Sequence, residues 1–156
     1  MSSPLVQLCC RTARNSVALR QASRDSNVPK GQLVAIVDDD ESIRDTTKDL
    51  LESAGFSAAV FATATSLLKS RRLDQVCCLI ADMRMPKMTG LELHQHLVAS
   101  SRSIPTILMT AYPDVRAQAQ AIKANVLCYL VKPFAADDLL ACVRYAVQDR
   151  DPNGSP

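Results

Sequence analysis

Glycine is scarce in this chain, and its four residues stand far apart, at positions 31, 55, 90 and 154. Loops that wrap the phosphates of a bound nucleotide need several glycines within a few residues, as in the GxGxxG and P-loop patterns. Neither pattern occurs anywhere in the sequence. The scarcity of glycine therefore excludes these two classes of nucleotide-binding loop.

Long apolar runs and closely paired cysteines are also missing. The longest strongly apolar runs, residues 76–81 and 126–131, fall far short of the ~18 residues of a membrane-spanning helix. The six cysteines form no CxxC pair, and those within apolar segments act as small hydrophobic residues. We therefore expect neither a zinc site nor a disulfide framework, and predict a cytoplasmic protein that makes no membrane contact.

Positive charge is concentrated at the beginning of the chain. Residues 1–31 hold five basic side chains and one acidic one, although the net charge of the whole chain is only +2. The remaining residues are mildly acidic and lack the basic patch that nucleic-acid-binding domains present. We therefore predict no direct contact with nucleic acid.

The chain divides into one folded domain and two flanking segments. Residues 1–31 lack hydrophobic periodicity, include Pro29 and Gly31, and are predicted to form a disordered basic N-terminal extension. A start codon assigned too far upstream is the alternative explanation for them. We assign residues 32–149 to a single domain, and residues 150–156, with two prolines and a glycine, to a flexible tail.

Strand and helix patterns alternate along the predicted domain. The strand patterns are continuous apolar runs, which indicate a parallel sheet covered on both faces. Right-handed crossovers then give an α/β fold, a doubly wound five-stranded parallel sheet sandwiched by five helices. In the third helix we expect Leu91, Leu97 and Val98 to face inward, and we place Pro113 near the first turn of the fourth. The predicted strands are 33–37, 57–61, 76–81, 105–109 and 127–131, and the predicted helices are 42–54, 64–70, 90–100, 113–124 and 135–148.

Polar residues follow four of these strands. Asp38 and Asp39 come after the first, Asp82 after the third, Thr110 after the fourth and Lys132 after the fifth. The carboxyl ends of parallel strands meet at one edge of the sheet, where ligands of such folds bind. Three converging carboxylates repel one another, and a hard divalent cation such as Mg²⁺ relieves that repulsion. The sequence therefore predicts a magnesium site there.

The same residues are suited to handling a phosphoryl group. A carboxylate of Asp82 can attack phosphorus in line and form an acyl phosphate. Thr110 can donate a hydrogen bond to the phosphoryl oxygens, and Lys132 can reach them as a compact cation. Asp40 is expected instead to cap the helix that follows it. A strand-terminal Asp, Thr and Lys at one sheet edge is hard to attribute to chance.

Four stretches match a known family in order and spacing. They are IVDDDES (36–42), LIADMRMPKMTGLEL (79–93), ILMTAYPDV (107–115) and CYLVKPF (128–134). Over about residues 33–148 the chain resembles the receiver domain of the two-component response-regulator family. The resemblance implies the flavodoxin-like receiver fold with strand order 2-1-3-4-5. No helix-turn-helix pattern follows the fifth helix, so we expect the stand-alone, single-domain type, with a fragment of a longer regulator as the alternative.

The resemblance also implies a phosphoacceptor site. Asp82 would accept a phosphoryl group from a sensor histidine kinase or a histidine phosphotransfer protein, so the domain would phosphorylate itself without being a turnover enzyme. Mg²⁺, or Mn²⁺ in its place, would be bound by Asp39, Asp82 and the backbone carbonyl of Arg84. Asp38 would support the metal through water.

The family further implies a conformational switch. Thr110 and Lys132 would bind the phosphoryl oxygens, and Tyr129 matches the switch aromatic of the family. Inward movement of Thr110 and Tyr129 would reshape the face made by the fourth helix, fifth strand and fifth helix. That face would bind a downstream protein target, and phosphorylation-linked homodimerisation could use its fourth helix.

Three positions distinguish this sequence within the resemblance. Arg84 and Tyr112 lie two residues after Asp82 and Thr110, respectively. Both side chains are expected to overhang the phosphoryl group and hinder attacking water, which predicts a long-lived phosphoprotein. Asn125 stands where the family usually has glycine, and asparagine tolerates the left-handed backbone of a helix end.

Two alternatives compete with a receiver. A haloacid-dehalogenase-type phosphohydrolase would use Asp38 as nucleophile and Asp40 as acid/base, but its later acidic motif should follow a strand. Here the late pair, Asp137 and Asp138, opens a predicted helix. The other alternative is a phosphorylation-independent interaction module on the same fold. The complete acceptor set argues against it.

Overall fold

Five parallel strands form one sheet in the order β2-β1-β3-β4-β5. The fold comes from a computed structural model, which describes residues 33–148. The order confirms the predicted doubly wound fold, while the expected N-terminal extension and tail lie outside the described residues. The strands are β1 (Leu33–Val37), β2 (Ser57–Phe61), β3 (Val76–Asp82), β4 (Thr106–Thr110) and β5 (Cys128–Val131).

Five α-helices connect and cover these strands. They are α1 (Glu41–Ser53), α2 (Ala64–Leu68), α3 (Gly90–Ala99), α4 (Val115–Lys123) and α5 (Ala136–Gln148). Helix α2 ends two residues earlier than expected, and an unpredicted 3₁₀ helix at Leu73–Gln75 leads into β3. Helix α4 begins only at Val115, because the Asp114 side chain caps its N-terminus, so Pro113 lies before the helix.

The sheet separates two apolar layers. Strands β1, β3 and β4 are buried along their whole length, so alternate side chains enter opposite layers. Ala35, Leu79 and Leu108 pack with residues of α2, α3 and α4, while Ile36 and Ile80 pack with α1 and α5. Each fully buried aliphatic side chain contributes about 1.5–3 kcal/mol. The two layers therefore fix the strand tips relative to one another.

The prediction that Val98 faces inward is wrong. Its side chain is 54% exposed, whereas Leu91 and Leu97 are buried as expected. The inward stripe of α3 runs through Leu93 and Leu97, with the buried His94 beside it. Val98 lies on the same side of α3 as His94 but in the last turn of the helix, where its side chain remains exposed.

Left-handed residues end two helices at the expected places. Gly55 follows α1 with φ 94°, and Asn125 follows α4 with φ 60°. At the end of α4 the Asn125 N–H donates to the Ile122 carbonyl, and the Val126 N–H donates to the Ala121 carbonyl. This is the Schellman pattern, and it confirms that asparagine can replace the usual glycine there.

Candidate functional site

The predicted polar residues meet at the carboxyl edge of the sheet. Asp38 follows β1, Lys132 follows β5, and Asp82 and Thr110 are the last residues of β3 and β4. Because β3 lies between β1 and β4, Asp82 stands in the middle of this set. One carboxylate oxygen from each of Asp38, Asp39 and Asp82 lies within 4.8 Å of the others.

Lys132 joins two of these carboxylates. Its Nζ donates to Oδ2 of Asp82 at 2.8 Å and to Oδ2 of Asp38 at 3.3 Å. The Asp38 side chain is 0% exposed and that of Asp82 is 12% exposed. The backbone N–H of Lys132 donates to the Thr110 carbonyl, and the Lys132–Pro133 peptide bond is cis. The ammonium group therefore neutralises repulsion between two neighbouring acids.

Burial and charge shift the pKa values of two of these groups. Burial raises the pKa of Asp38, although the Asp40 N–H and the Lys132 charge oppose the shift. For Lys132, burial lowers the pKa, but the hydrogen bond to Asp82 and the charges of both carboxylates outweigh it and raise the value. Lys132 is therefore held in its charged form.

Asp38 is fixed by its surroundings at every polar atom. Its backbone N–H donates to the Phe61 carbonyl, and its own carbonyl accepts a 2.7 Å hydrogen bond from Nη1 of Arg44. Its Oδ1 accepts from the Asp40 N–H at 2.9 Å. The Asp40 carboxylate accepts from backbone N–H groups in the first turn of α1, which confirms it as the helix cap.

Hydrogen bonds from the loop after β3, and the close approach of α3, fix the position of Asp82. The Arg84 N–H donates to Oδ1 of Asp82 at 2.8 Å, and the Met83 N–H donates to the Met109 carbonyl. A Cβ atom at Gly90 would lie 2.5 Å from the Asp82 carbonyl oxygen, so only glycine allows this approach of α3 to the strand.

The donor set suits a hard divalent cation. Oxygen ligands from several carboxylates are what Mg²⁺ and Mn²⁺ prefer. Asp39 is exposed, and within residues 33–148 its carboxylate accepts no hydrogen bond, so its lone pairs remain for a metal. The chemistry of the three acids therefore fits the predicted metal, while the ligand role of the Arg84 carbonyl stays a prediction.

Thr110 and Tyr129 lie on the side of the sheet that faces α4. Oγ1 of Thr110 accepts from the Tyr112 N–H at 3.0 Å and donates to the Tyr112 carbonyl at 3.1 Å. Tyr129 is 1% exposed and packs in the layer beneath α2, α3 and α4. Thr110 therefore contacts the segment that leads into α4, and Tyr129 lies in the layer that α4 covers.

The two bulky residues near Asp82 contact each other. The Arg84 guanidinium lies over the Tyr112 ring, 4.5 Å from its centroid. Tyr112 is 63% exposed, so the stacked pair forms part of the rim around the site. The predicted effect on phosphoryl lifetime stays a prediction.

Sequence reasoning missed three residues that support this region. Arg44 and Gly90 act on the backbone at Asp38 and Asp82, and no local pattern indicates such contacts. His94 is buried, with Nδ1 2.8 Å from Oγ1 of Thr106 and Nε2 2.8 Å from the Ala124 carbonyl. A single histidine within the inward stripe of α3 was the one available signal, and it indicates a structural link between α3 and the end of α4.

Comparison with known proteins agrees with this geometry. The sequence model of the family described as "Response regulator receiver domain" matches residues 34–144. The chain belongs to this family. As receiver domains do, it serves two-component systems as a phosphoacceptor signalling module, and receiver domains of response regulators interact with histidine kinases and downstream effectors.

Three relatives illustrate the likeness. The chain is 38% identical over 117 residues to the C4-dicarboxylate transport transcriptional regulatory protein DctD of Rhizobium meliloti, covering 75% of this chain and 25% of DctD. It is 33% identical over 119 residues to the transcriptional regulatory protein FixJ of Bradyrhizobium diazoefficiens, covering 76% of this chain and 58% of FixJ. The structure of the response regulator StyR is similar with a TM-score of 0.70 and 41% identity, covering 76% of this chain and 60% of that one.

The likeness extends over only part of each of these relatives. The chain spans only about a quarter of DctD and under three-fifths of FixJ. What the rest of those proteins does is therefore not carried over to this chain. Among the described residues, no helix combines the length and apolar character needed to cross a bilayer.

Proposed function

We propose that Asp82 is the residue of this receiver that accepts the phosphoryl group, from a sensor histidine kinase or a histidine phosphotransfer protein. One observation carries the assignment. Of the two carboxylates that Lys132 contacts, that of Asp82 is 12% exposed and that of Asp38 is 0% exposed. A partner's phosphohistidine can therefore meet the Asp82 carboxylate, while Asp38 lies beneath it.

The proposed transfer needs no further reactant. A carboxylate oxygen of Asp82 forms a bond to phosphorus as the bond from phosphorus to the partner's imidazole nitrogen breaks, and the bonding electron pair returns to the imidazole. Lys132 loses its contact with the attacking oxygen and pairs with a phosphoryl oxygen instead. The positive charge of Lys132, which contacts the Asp82 carboxylate before the transfer, therefore stabilises the acyl phosphate after it.

Asp38, Asp39 and Asp82, with the Arg84 carbonyl, would hold Mg²⁺ or Mn²⁺. When bound, the cation neutralises negative charge on the phosphoryl oxygens. The chain's own residues supply the rest of the arrangement. The Arg84 N–H orients Asp82, and the Asp40 N–H orients Asp38.

We further propose that the acyl phosphate draws the Thr110 hydroxyl away from the Tyr112 backbone and toward a phosphoryl oxygen. This movement would bias a two-state arrangement of α4, β5 and α5, with Tyr129 between them. Ala121 is the sole residue of α4 that is fully buried, while Val115 and Ile122 on its outer side are 82% and 38% exposed. Such a helix can shift at low energetic cost.

We propose this shifting face as the binding surface for a downstream protein, and as a contact for a phosphorylation-linked homodimer. The domain would work in the cytoplasm, without direct contact to nucleic acid or membrane and without catalytic turnover. We also propose that residues 32–149 form the whole receiver domain.

The phosphohydrolase alternative fits the geometry less well. Its nucleophile, Asp38, has a fully buried side chain, and its acid/base, Asp40, is engaged as the cap of α1. A phosphorylation-independent module would leave the contacts of Lys132 and Asp82 without a chemical role.

Intact-protein mass distinguishes these functions. Wild type, Asp82→Asn and Asp38→Asn are incubated with Mg²⁺ and acetyl phosphate, and the mass is read before and after brief alkali. A receiver gives an alkali-labile phosphate adduct on wild type that Asp82→Asn abolishes. An adduct that persists in Asp82→Asn and disappears in Asp38→Asn would establish the phosphohydrolase chemistry instead.

A further inference from the structure

Arg44 reaches the acidic site from the fourth residue of α1. Side chains on a helix lean toward its N-terminus, which brings the guanidinium back over the first turn to the end of β1. Nη1 donates to the Asp38 carbonyl at 2.7 Å. Among the described residues Arg44 makes no salt bridge, so its contact with the site is this hydrogen bond to the backbone.

The carbonyl that Arg44 holds belongs to the peptide unit between Asp38 and Asp39. A peptide unit is planar, so fixing its oxygen also fixes the position of the next Cα atom. That Cα atom carries the Asp39 side chain. Arg44 therefore controls the direction from which the Asp39 carboxylate enters the site.

Asp39 has little other support. Asp38 and Asp82 each accept hydrogen bonds on both carboxylate oxygens, from backbone N–H groups and from Lys132. The Asp39 carboxylate accepts none within residues 33–148. The backbone beneath it thus decides where this carboxylate lies.

We propose that Arg44 is a positioning residue for the divalent metal, acting through the Asp38–Asp39 peptide unit on the Asp39 carboxylate. This inference rests on the proposed metal site. The positioning role and simple electrostatics predict opposite effects on Mg²⁺ binding when the Arg44 charge is removed. Removing a positive charge beside three carboxylates should by electrostatics alone tighten the binding of a cation, whereas loss of positioning should weaken it.

The test is isothermal titration of Mg²⁺ into wild type, Arg44→Gln and Arg44→Lys. We expect Arg44→Gln to weaken Mg²⁺ binding about tenfold, the low end for loss of an outer-shell partner. Arg44→Lys should recover part of this loss, because its ammonium can still donate one hydrogen bond to the Asp38 carbonyl. Arg71→Gln is the matched control, since Arg71 is exposed in the segment between α2 and β3, and should leave the affinity unchanged.

A double-mutant cycle separates positioning from general support of the fold. In an Asp39→Asn background, Arg44→Gln should weaken Mg²⁺ binding by less than about twofold, because the ligand through which Arg44 acts is already lost. An equal loss in both backgrounds, with a lowered unfolding midpoint, would show a purely structural role and overturn the inference.

The remaining outcomes are also decisive. If wild type binds Mg²⁺ and Arg44→Gln binds it equally or more tightly, the positioning role is wrong while the proposed metal site stands. If wild type itself does not bind Mg²⁺, the metal site is wrong, and the role of Arg44 falls with it.

Discussion

The two carboxylates that share Lys132 lie in different surroundings. Asp38 has no exposed side-chain surface, accepts from the Asp40 N–H, and has its pKa raised chiefly by burial. Asp82 lies at the rim and is partly open to a partner. Residue chemistry alone would not separate the two acids, so our proposal of Asp82 as acceptor and Asp38 as support rests on their different depths at the sheet edge.

The raised pKa of Asp38 predicts a specific pH dependence for Asp38→Asn. The folded protein holds this proton more tightly than the unfolded chain, so wild-type stability falls as the pH rises from 3.8 through the raised value. An asparagine at position 38 does not titrate, so the variant lacks this pH-dependent contribution to stability. Without metal, the free energy of unfolding of Asp38→Asn should therefore rise relative to that of wild type as the pH increases from 3.8 through the raised pKa of Asp38.

Urea unfolding in EDTA across that range measures the difference. Asp49→Asn, an exposed site on α1, is the control and should show no such trend. A constant difference between Asp38→Asn and wild type, or one that shrinks with rising pH, would show that burial does not hold the Asp38 proton.

At the scale of elements, the loops after β3 and β4 meet above the site through Arg84 and Tyr112. The contact places a guanidinium over an aromatic ring, an interaction of about 0.5–1 kcal/mol at an exposed site. We propose that the stacked pair acts as a small cover over Asp82, and that the cover depends on both side chains.

Loss of this cover should shorten the life of the acyl phosphate. Breaking the stack raises the open fraction about two- to fivefold, with a matching rise in the hydrolysis rate. Because each side chain needs the other, Arg84→Ala with Tyr112→Ala should act no more strongly than either alone. Loss of the phosphate adduct over time, followed by intact mass, checks this, with Arg116→Ala on α4 as control. Unchanged lifetimes would remove both residues from any role in water access.

The strand tips were predictable from sequence, but the contacts between loops were not. Continuous apolar runs fix which segments are strands, and parallel pairing then brings Asp38, Asp82, Thr110 and Lys132 to one edge. The Arg84 stack depends on how two irregular loops fold against each other. Likewise, Val98 is exposed although it follows the buried His94 by four residues on the same side of α3, and periodicity alone does not reveal this.

At the scale of the whole molecule, the site connects to the α4 surface through β4 and β5. The Thr110 hydroxyl is bonded to the Tyr112 backbone at the start of the segment that enters α4. At the other end of α4, His94 holds the Ala124 carbonyl. Helix α4 is thus held at its C-terminus, and we expect its N-terminus, near Thr110, to respond to phosphorylation.

Thr110→Val should separate phosphorylation from its consequence. The variant should still form the adduct on Asp82, because valine has nearly the same shape. In wild type, phosphorylation should change amide hydrogen exchange in α4 by at least about fivefold, the low end of typical coupling between sites, and this change should vanish in Thr110→Val. Hydrogen-exchange mass spectrometry checks it, with the exposed Thr65→Val on α2 as control. An unchanged response in Thr110→Val would exclude Thr110 as the link.

The position of the acyl phosphate tests the central claim most directly. Protein treated with acetyl phosphate and Mg²⁺ is reduced with borohydride, which converts a phosphorylated aspartate to homoserine, and the altered residue is located by peptide mass spectrometry. The geometry of Asp82 and Lys132 predicts homoserine at position 82 and nowhere else in the domain. Homoserine at position 38, or reduction spread over surface acids without position 82, would contradict Asp82 as the acceptor.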